Sequence, residues 1–161
     1  MTVAVTIISG GQTGADRAAL DFAISRGIPH GGWCPLGRRA EDGVLDARYQ
    51  MRETESRNYR QRTRRNVADS DATLILNLGE LVDGSLATRQ FAEQANKPVC
   101  VVPLDADDLA AEVKRVREWL AERGIAVLNV AGPRESKRPG VYRQALAFLE
   151  ALNALPDAQR V

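Results

Sequence analysis

Ala72-Thr73-Leu74-Ile75-Leu76-Asn77-Leu78 is the stretch whose reading decides the fold. It is short, almost wholly apolar and followed by turn residues from Gly79 onward, the pattern of a strand buried on both faces. A strand with no polar face belongs in a parallel sheet covered by helices. Before it, Arg57–Ala68 reads as a helix. After it come a loop, Gly79–Ser85, a helix over Leu86–Asn96, and a second apolar strand, Pro98–Val102. Pro98 is placed at that strand's first position, where a missing N–H is tolerated.

The same alternation continues outward. Leu109, Val113, Val116 and Leu120 are spaced to share one helix face, and Gly124 ends that helix. Ile125–Val130 supplies another strand. Pro139 fits the first turn of a last helix, with Tyr142, Ala145, Leu146 and Leu149 facing inward. Toward the N-terminus, Val3–Ile8 is a strand that stops at Ser9-Gly10-Gly11. A helix follows over Gly14–Arg26, with Leu20, Ala23 and Ile24 inside and Gly27 just past its end. Ile28–Cys34 is a weaker strand, and residues 35–56 read as irregular. The prediction is an α/β chain: a doubly wound, mainly parallel sheet of about five strands with helices on both faces. One domain over residues 1–161 is expected, with a core of about 3–154 and a frayed tail, 156–161. Ligands of such sheets bind beyond the carboxyl ends of the strands, so the loops after strands carry the functional information.

Composition narrows the chemistry. The 161 residues contain 22 Lys and Arg, 21 Asp and Glu, one His and two Cys. A chain this long buries roughly 68–70% of its unfolded surface and needs no metal or disulfide to fold. One histidine excludes a two-histidine zinc site and the HExxH motif within the chain, and leaves only His30 for a hydrolase triad. His30 has no partner visible in the sequence. Cys34 and Cys100 form neither a CxxC motif nor a disulfide framework, and no protein-coordinated metal is predicted. Cys100 reads as core, and a buried thiol is the commoner reading of Cys34 than a metal ligand or nucleophile. A net charge of +1 gives no bulk attraction to nucleic acid or membrane. The N-terminal apolar run is too short for a signal peptide, and no segment reaches membrane-span length, so a cytoplasmic location is expected.

Three glycine-bearing loops follow strands. In the first, Gly10-Gly11-Gln12-Thr13-Gly14-Ala15-Asp16-Arg17, glycines allow a close backbone approach, and the following helix start favours an anion such as phosphate. It matches neither GxGxxG nor the P-loop, whose lysine is missing. Asp16 would repel a phosphate, so it either caps backbone N–H groups or accepts from a ligand hydroxyl or ring N–H. Glycines that only shape a tight turn would look the same. In the second loop, Gly84, Ser85 and Thr88 offer phosphate donors, although Ser85 alone would also serve as an N-cap. In the third, Gly132-Pro133-Arg134-Glu135-Ser136, Arg134 suits bidentate contact with phosphate or carboxylate. Glu135 either pairs with it or acts as a general base. Glu135 and Asp16 are thus the catalytic candidates.

Between Arg38 and Arg65, nine arginines against five carboxylates leave a local charge of +4. Arg57, Arg60 and Arg64 would share a helix face. With Trp33, Tyr49 and Tyr59 nearby, such a patch suits single-stranded nucleic acid, yet no RNA motif accompanies it, and nucleic acid is not the expected partner. A solvated, salt-bridged helix is the commoner outcome of such runs.

Taken together, Gly10–Asp16, Gly31-Gly32-Trp33-Cys34-Pro35, Gly37-Arg38, Glu41-Asp42-Gly43, Arg62-Thr63, Asn66-Val67, Asp69-Ser70-Asp71-Ala72-Thr73 and Gly132–Ser136 resemble the molybdenum carrier family. That family is also described as the circularly permuted YpsA-like branch of the SLOG superfamily, and the resemblance spans about residues 7–150. It implies a Rossmann-like domain that binds a nucleotide-derived or pterin ligand, with molybdenum cofactor or a nucleotide as candidates. It further implies a homo-oligomer, dimer or tetramer. The superfamily's phosphoribohydrolases carry a PGGxGTxxE loop, and Thr88 stands here where their glutamate would be. A nucleotide-processing hydrolase is therefore the second reading, with Glu135 or Asp16 as acid/base.

Overall fold

The structure, a computed structural model, describes residues 6–154. Its centre is a five-stranded, all-parallel sheet built from β1 (Thr6–Ile8), β2 (His30–Gly31), β7 (Ala72–Asn77), β8 (Val99–Pro103) and β9 (Val127–Ala131). The order across the sheet is β2-β1-β9-β7-β8. The last strand of the chain therefore lies in the middle, between the first strand and the one that opens the second half. Leu74 and Leu76 are fully buried and sit opposite Cys100 and Val102 on β8, and Leu74 also faces Val130 on β9. Asp71 sets that register from below, because its Oδ2 accepts from the N–H groups of Ala126 and Val127 at 3.0 and 2.8 Å.

Five helices complete the sandwich. The helices α1 (Ala15–Ser25), α4 (Leu109–Arg123) and α5 (Val141–Asn153) pack together over the main apolar core, which takes Ile7, Leu74, Leu76, Val102, Leu128 and Val130 from the sheet. Helices α2 (Tyr59–Ala68) and α3 (Asp83–Gln94) pair with each other around Val67, Phe91 and Ala92. Between α1 and α2 lie a hairpin, β4 (Arg39–Ala40) with β5 (Gly43–Val44), and a short parallel pair, β3 (Trp33–Cys34) with β6 (Arg52–Glu53). This segment rests on α1 through Leu20, Cys34, Leu45 and Tyr49. No described helix is long and apolar enough to cross a membrane.

Several local expectations change. Residues 35–56, expected to be irregular, carry three of these two-residue strands, β4, β5 and β6, which are too short to show any periodicity. Helix α3 begins at Asp83 rather than Leu86: extended Val82 accepts from the Leu86 N–H, so Gly84 and Ser85 lie in the first turn and Ser85 is not the cap. Asn58 caps α2, which leaves Arg57 outside the helix that Arg60 and Arg64 share. Strand β8 starts one residue after Pro98, and α5 starts two after Pro139, with Gly140 as its N-cap. Ile24 and Leu109, read as inward-facing, are 40% and 41% exposed, because each lies at the margin of its helix's packed stripe. Residues 3–5 of the first strand and the tail after Pro156 lie outside the described residues.

Candidate functional site

The loops after β1, β7 and β9 meet above the centre of the sheet, where the strand order reverses. Between them, with α2 as the outer wall, is a cavity of about 420 Å³. Seven of the residues singled out from the sequence line it: Gln12, Asp16, Gly84, Ser85, Thr88, Gly132 and Arg134. Gly10, Gly11, Thr13, Gly14, Arg17, Glu135 and Ser136 do not.

The first loop is folded onto itself and its neighbours. The Gly11 N–H donates to Ser9 Oγ, the Gln12 N–H to Asp16 Oδ2, the Thr13 N–H to Gln12 Oε1, and the Ala15 N–H to the Pro133 carbonyl. A Cβ on Gly10 would lie 1.9 Å from Arg62 Nη1, so the guanidinium occupies the space beside that glycine. Gly14 combines a φ of 80° with a Pro133 oxygen that would be 2.3 Å from a Cβ, which ties the first loop to the third. Arg17 reads the loop from behind: its Nε and Nη2 donate to the Gly11 carbonyl, while the same guanidinium grips Asp42.

Glu41, at the tip of the β4–β5 hairpin, clamps the first and third loops together. Its carboxylate accepts from Thr13 Oγ1, from the Ser136 N–H at 3.1 Å and from Ser136 Oγ at 2.5 Å, and it lies 3.7 Å from Arg134 Nε. Burial works to raise its pKa, but the hydrogen bonds from Ser136 and Thr13, with Arg134 beside them, prevail and hold it below the ordinary glutamate value. Glu135 has a different task. Its two oxygens accept from the Gly140 and Tyr142 N–H groups, at 2.7 and 3.1 Å, and so satisfy the start of α5.

Asp16 is 3% exposed on the cavity floor, where Oδ2 accepts from the Gln12 N–H and from Arg62 Nη1 at 3.2 Å. Of the two roles open to it, the structure shows the cap. Burial pushes its carboxyl above the usual aspartate value, against the pull of Arg62. The Nε of Arg62 is buried with no partner.

The second loop is the opposite of the first. No side chain caps α3, and the N–H groups of Asp83, Gly84 and Ser85 meet no acceptor among the described residues. A Cβ on Gly84 would find nothing within 4 Å. Beside this helix start, Lys137 bonds to Asp83, and Arg138 donates through Nε to the Leu78 carbonyl at 2.8 Å. Asn77, 4% exposed at the carboxyl end of β7, donates through Nδ2 to the Gly79 carbonyl and leaves Oδ1 buried without a partner at the cavity wall.

Asn77, Arg62, Lys137 and Arg138 line the cavity but were not among the sequence candidates. A polar residue at the end of an apolar strand was a readable signal for Asn77, and two cations directly after Ser136 were one for Lys137 and Arg138. Arg62 was hidden among nine arginines. His30 lies away from the cavity, where its Nε2 accepts from the Gln50 N–H. Cys34 and Cys100 are buried. Among the described residues, no three His, Cys, Asp or Glu side chains gather as a metal site.

Comparison with known proteins agrees with this architecture. A family model described as the circularly permutated YpsA SLOG family matches residues 7–153. A crystal structure described as "putative molybdenum carrier protein", from Syntrophus aciditrophicus SB, is 46% identical in sequence and superposes with a TM-score of 0.92. The alignment covers 95% of this chain and 97% of that one. No curated protein matches the chain.

Proposed function

We propose that this chain, which belongs to the circularly permutated YpsA family of the SLOG superfamily, binds a phosphorylated heterocycle, nucleotide-derived or pterin, in the cavity above the sheet. The observation that carries this reading is the start of α3. Its N–H groups are open, three cations (Arg134, Lys137 and Arg138) stand around it, and an unpartnered buried acceptor, Asn77 Oδ1, lies on the same wall. A phosphate placed there gains the helix-terminus attraction, worth up to ~2 kcal/mol when partly buried, and charge-assisted hydrogen bonds. Asn77 Oδ1 then accepts from a ring or amino N–H. The volume is within the range of small-ligand sites.

Molybdenum cofactor is the leading ligand on this reading, because it is a phosphate-bearing pterin and the 46% identical structure carries the molybdenum carrier description. The protein would hold the pterin and phosphate, and the metal would stay on its own dithiolene. The proposal includes a cytoplasmic homo-oligomer, testable by light scattering. Isothermal titration against molybdenum cofactor and a nucleotide monophosphate panel is the direct experiment, together with mass spectrometry of what co-purifies. We expect one member to bind with a stoichiometry near one per site. Absence of binding across the panel overturns the reading.

A further inference from the structure

The cavity wall formed by α2 is shared with a second depression. Arg60 lines both. The second depression is also about 420 Å³ and is walled by Ser56, Asn58, Gln61, Arg64 and Arg65. Arg60 and Arg64 stand one helical turn apart, both exposed, with each guanidinium carbon 4.9 Å from the ring centroid of Phe91. Phe91 is 5% exposed, so both cations are held against one buried ring. Neither guanidinium has a carboxylate partner or a hydrogen bond among the described residues, in contrast to Arg62, which pairs with Asp16, and Arg65, 3.6 Å from Glu55. Like charges one turn apart cost a helix a few tenths of a kcal/mol, ~0.2–0.5, so the fold gains nothing from their being neighbours. Two unneutralised guanidinium forks, one lining the anion cavity and the other one helical turn beyond it, have the chemistry of a phosphate contact.

We infer that Arg60 and Arg64 form a second anion subsite continuous with the cavity, so that the ligand carries a chain of phosphates running outward from α3, as a nucleoside polyphosphate does, rather than a single phosphate. The inference rests on the binding reading above. It places the heterocycle and its first phosphate inside, the next phosphate on Arg60, and the outer end of the phosphate chain along α2 at Arg64. Direct phosphate contact sets the affinity of the inner half, and Arg64 sets the gain from the outer half.

Inorganic phosphate chains test this without knowledge of the heterocycle. Pyrophosphate, tripolyphosphate and long-chain polyphosphate are titrated at fixed salt into the full chain and into three folded variants, Lys137→Ala, Arg64→Gln and Arg143→Gln. Arg143 is an exposed arginine on α5 that lines neither depression and serves as the charge control. Affinity should rise with chain length in the wild type, and Arg64→Gln should remove that rise, about 5-fold or more, while pyrophosphate binding stays within error. Lys137→Ala should weaken every chain, pyrophosphate included. If Arg64→Gln and Arg143→Gln lose long-chain affinity equally, or neither loses any, the second subsite is overturned. If pyrophosphate does not bind, or binds unchanged in Lys137→Ala, the α3 phosphate reading fails instead.

Discussion

Two loops of this molecule look alike in sequence and behave oppositely in structure. Gly10–Gly14 and Asp83–Thr88 each carry glycine, each follow a buried strand and each open a helix. In the first, protein fills the space that glycine leaves: Arg62 lies against Gly10, and the Pro133 carbonyl lies against Gly14. In the second, Gly84 faces open space and its neighbours' N–H groups are unclaimed. Glycine content thus reports close approach but not what approaches. Partner accounting for the backbone N–H groups separates a loop that is closed from one that can receive a ligand.

The sharpest break between the two loops is Gly14→Ala. An alanine there has to hold φ 80° and ψ −132°, a conformation that L residues avoid, ~1–3 kcal/mol, and meets a backbone oxygen that cannot swing away, a further ~1–3 kcal/mol of overpacking. Chemical denaturation should show a loss of about 3 kcal/mol. A loss below ~1 kcal/mol would mean that the first loop is looser than its contacts imply, and the comparison would fail at its structural end.

Next in size is the effect of cations on binding. Lys137→Ala removes a phosphate donor and strips Asp83, in the first turn of α3, of the partner whose hydrogen bond depresses its pKa. Both changes oppose an anion at that helix start. Pyrophosphate affinity should fall about tenfold or more, since a hydrogen bond to a charged group is worth ~1.5–3 kcal/mol. Thr13→Val, in the closed loop, should leave it unchanged. Equal losses from the two variants would place the phosphate across both loops.

The sheet and its order of elements were legible because buried parallel strands are apolar on both faces, as β7 is from Ala72 to Leu76 save for Thr73. The crevice was legible through topology, and Gly84, Ser85, Thr88 and Arg134 through residue type. What periodicity cannot carry is the fate of each donor. Nothing in Gly10–Asp16 says that Ser9, Gln12 and Asp16 consume its N–H groups, because those bonds depend on side chains that fold onto the backbone one to four residues away. Glu135 looked like a base for the same reason. Its cap on α5 requires the chain to turn back at Gly140, five residues on. Glu41 was visible only through a family resemblance, since its contacts to Thr13 and Ser136 span 28 and 95 residues.

That clamp gives a smaller, pH-dependent test. Against the effect of burial, hydrogen bonds from Ser136 and Thr13 hold the carboxyl of Glu41 below the ordinary glutamate value in the folded protein. A depressed carboxylate stabilises the fold above the unfolded value, and the contribution is lost as pH falls through the folded one. Glu41→Gln should therefore cost about 1 kcal/mol near neutral pH, discounted for partial exposure, and the gap to wild type should close below pH 4.5. A gap that persists in acid would assign the clamp to shape rather than charge.

The smallest expected effect is the most diagnostic, because its sign reverses that of Gly14→Ala. Gly84 has open space where a Cβ would go and lies in the first turn of α3, so Gly84→Ala should stabilise the unliganded protein by a few tenths to ~1 kcal/mol. The same methyl would stand where a phosphate approaches the backbone. Thermal denaturation without ligand should thus show a modest gain, and pyrophosphate titration a loss. A variant that gains stability and keeps its affinity would move the phosphate off Gly84 toward Arg134. One that loses stability would mean that the second loop, like the first, is already filled by protein.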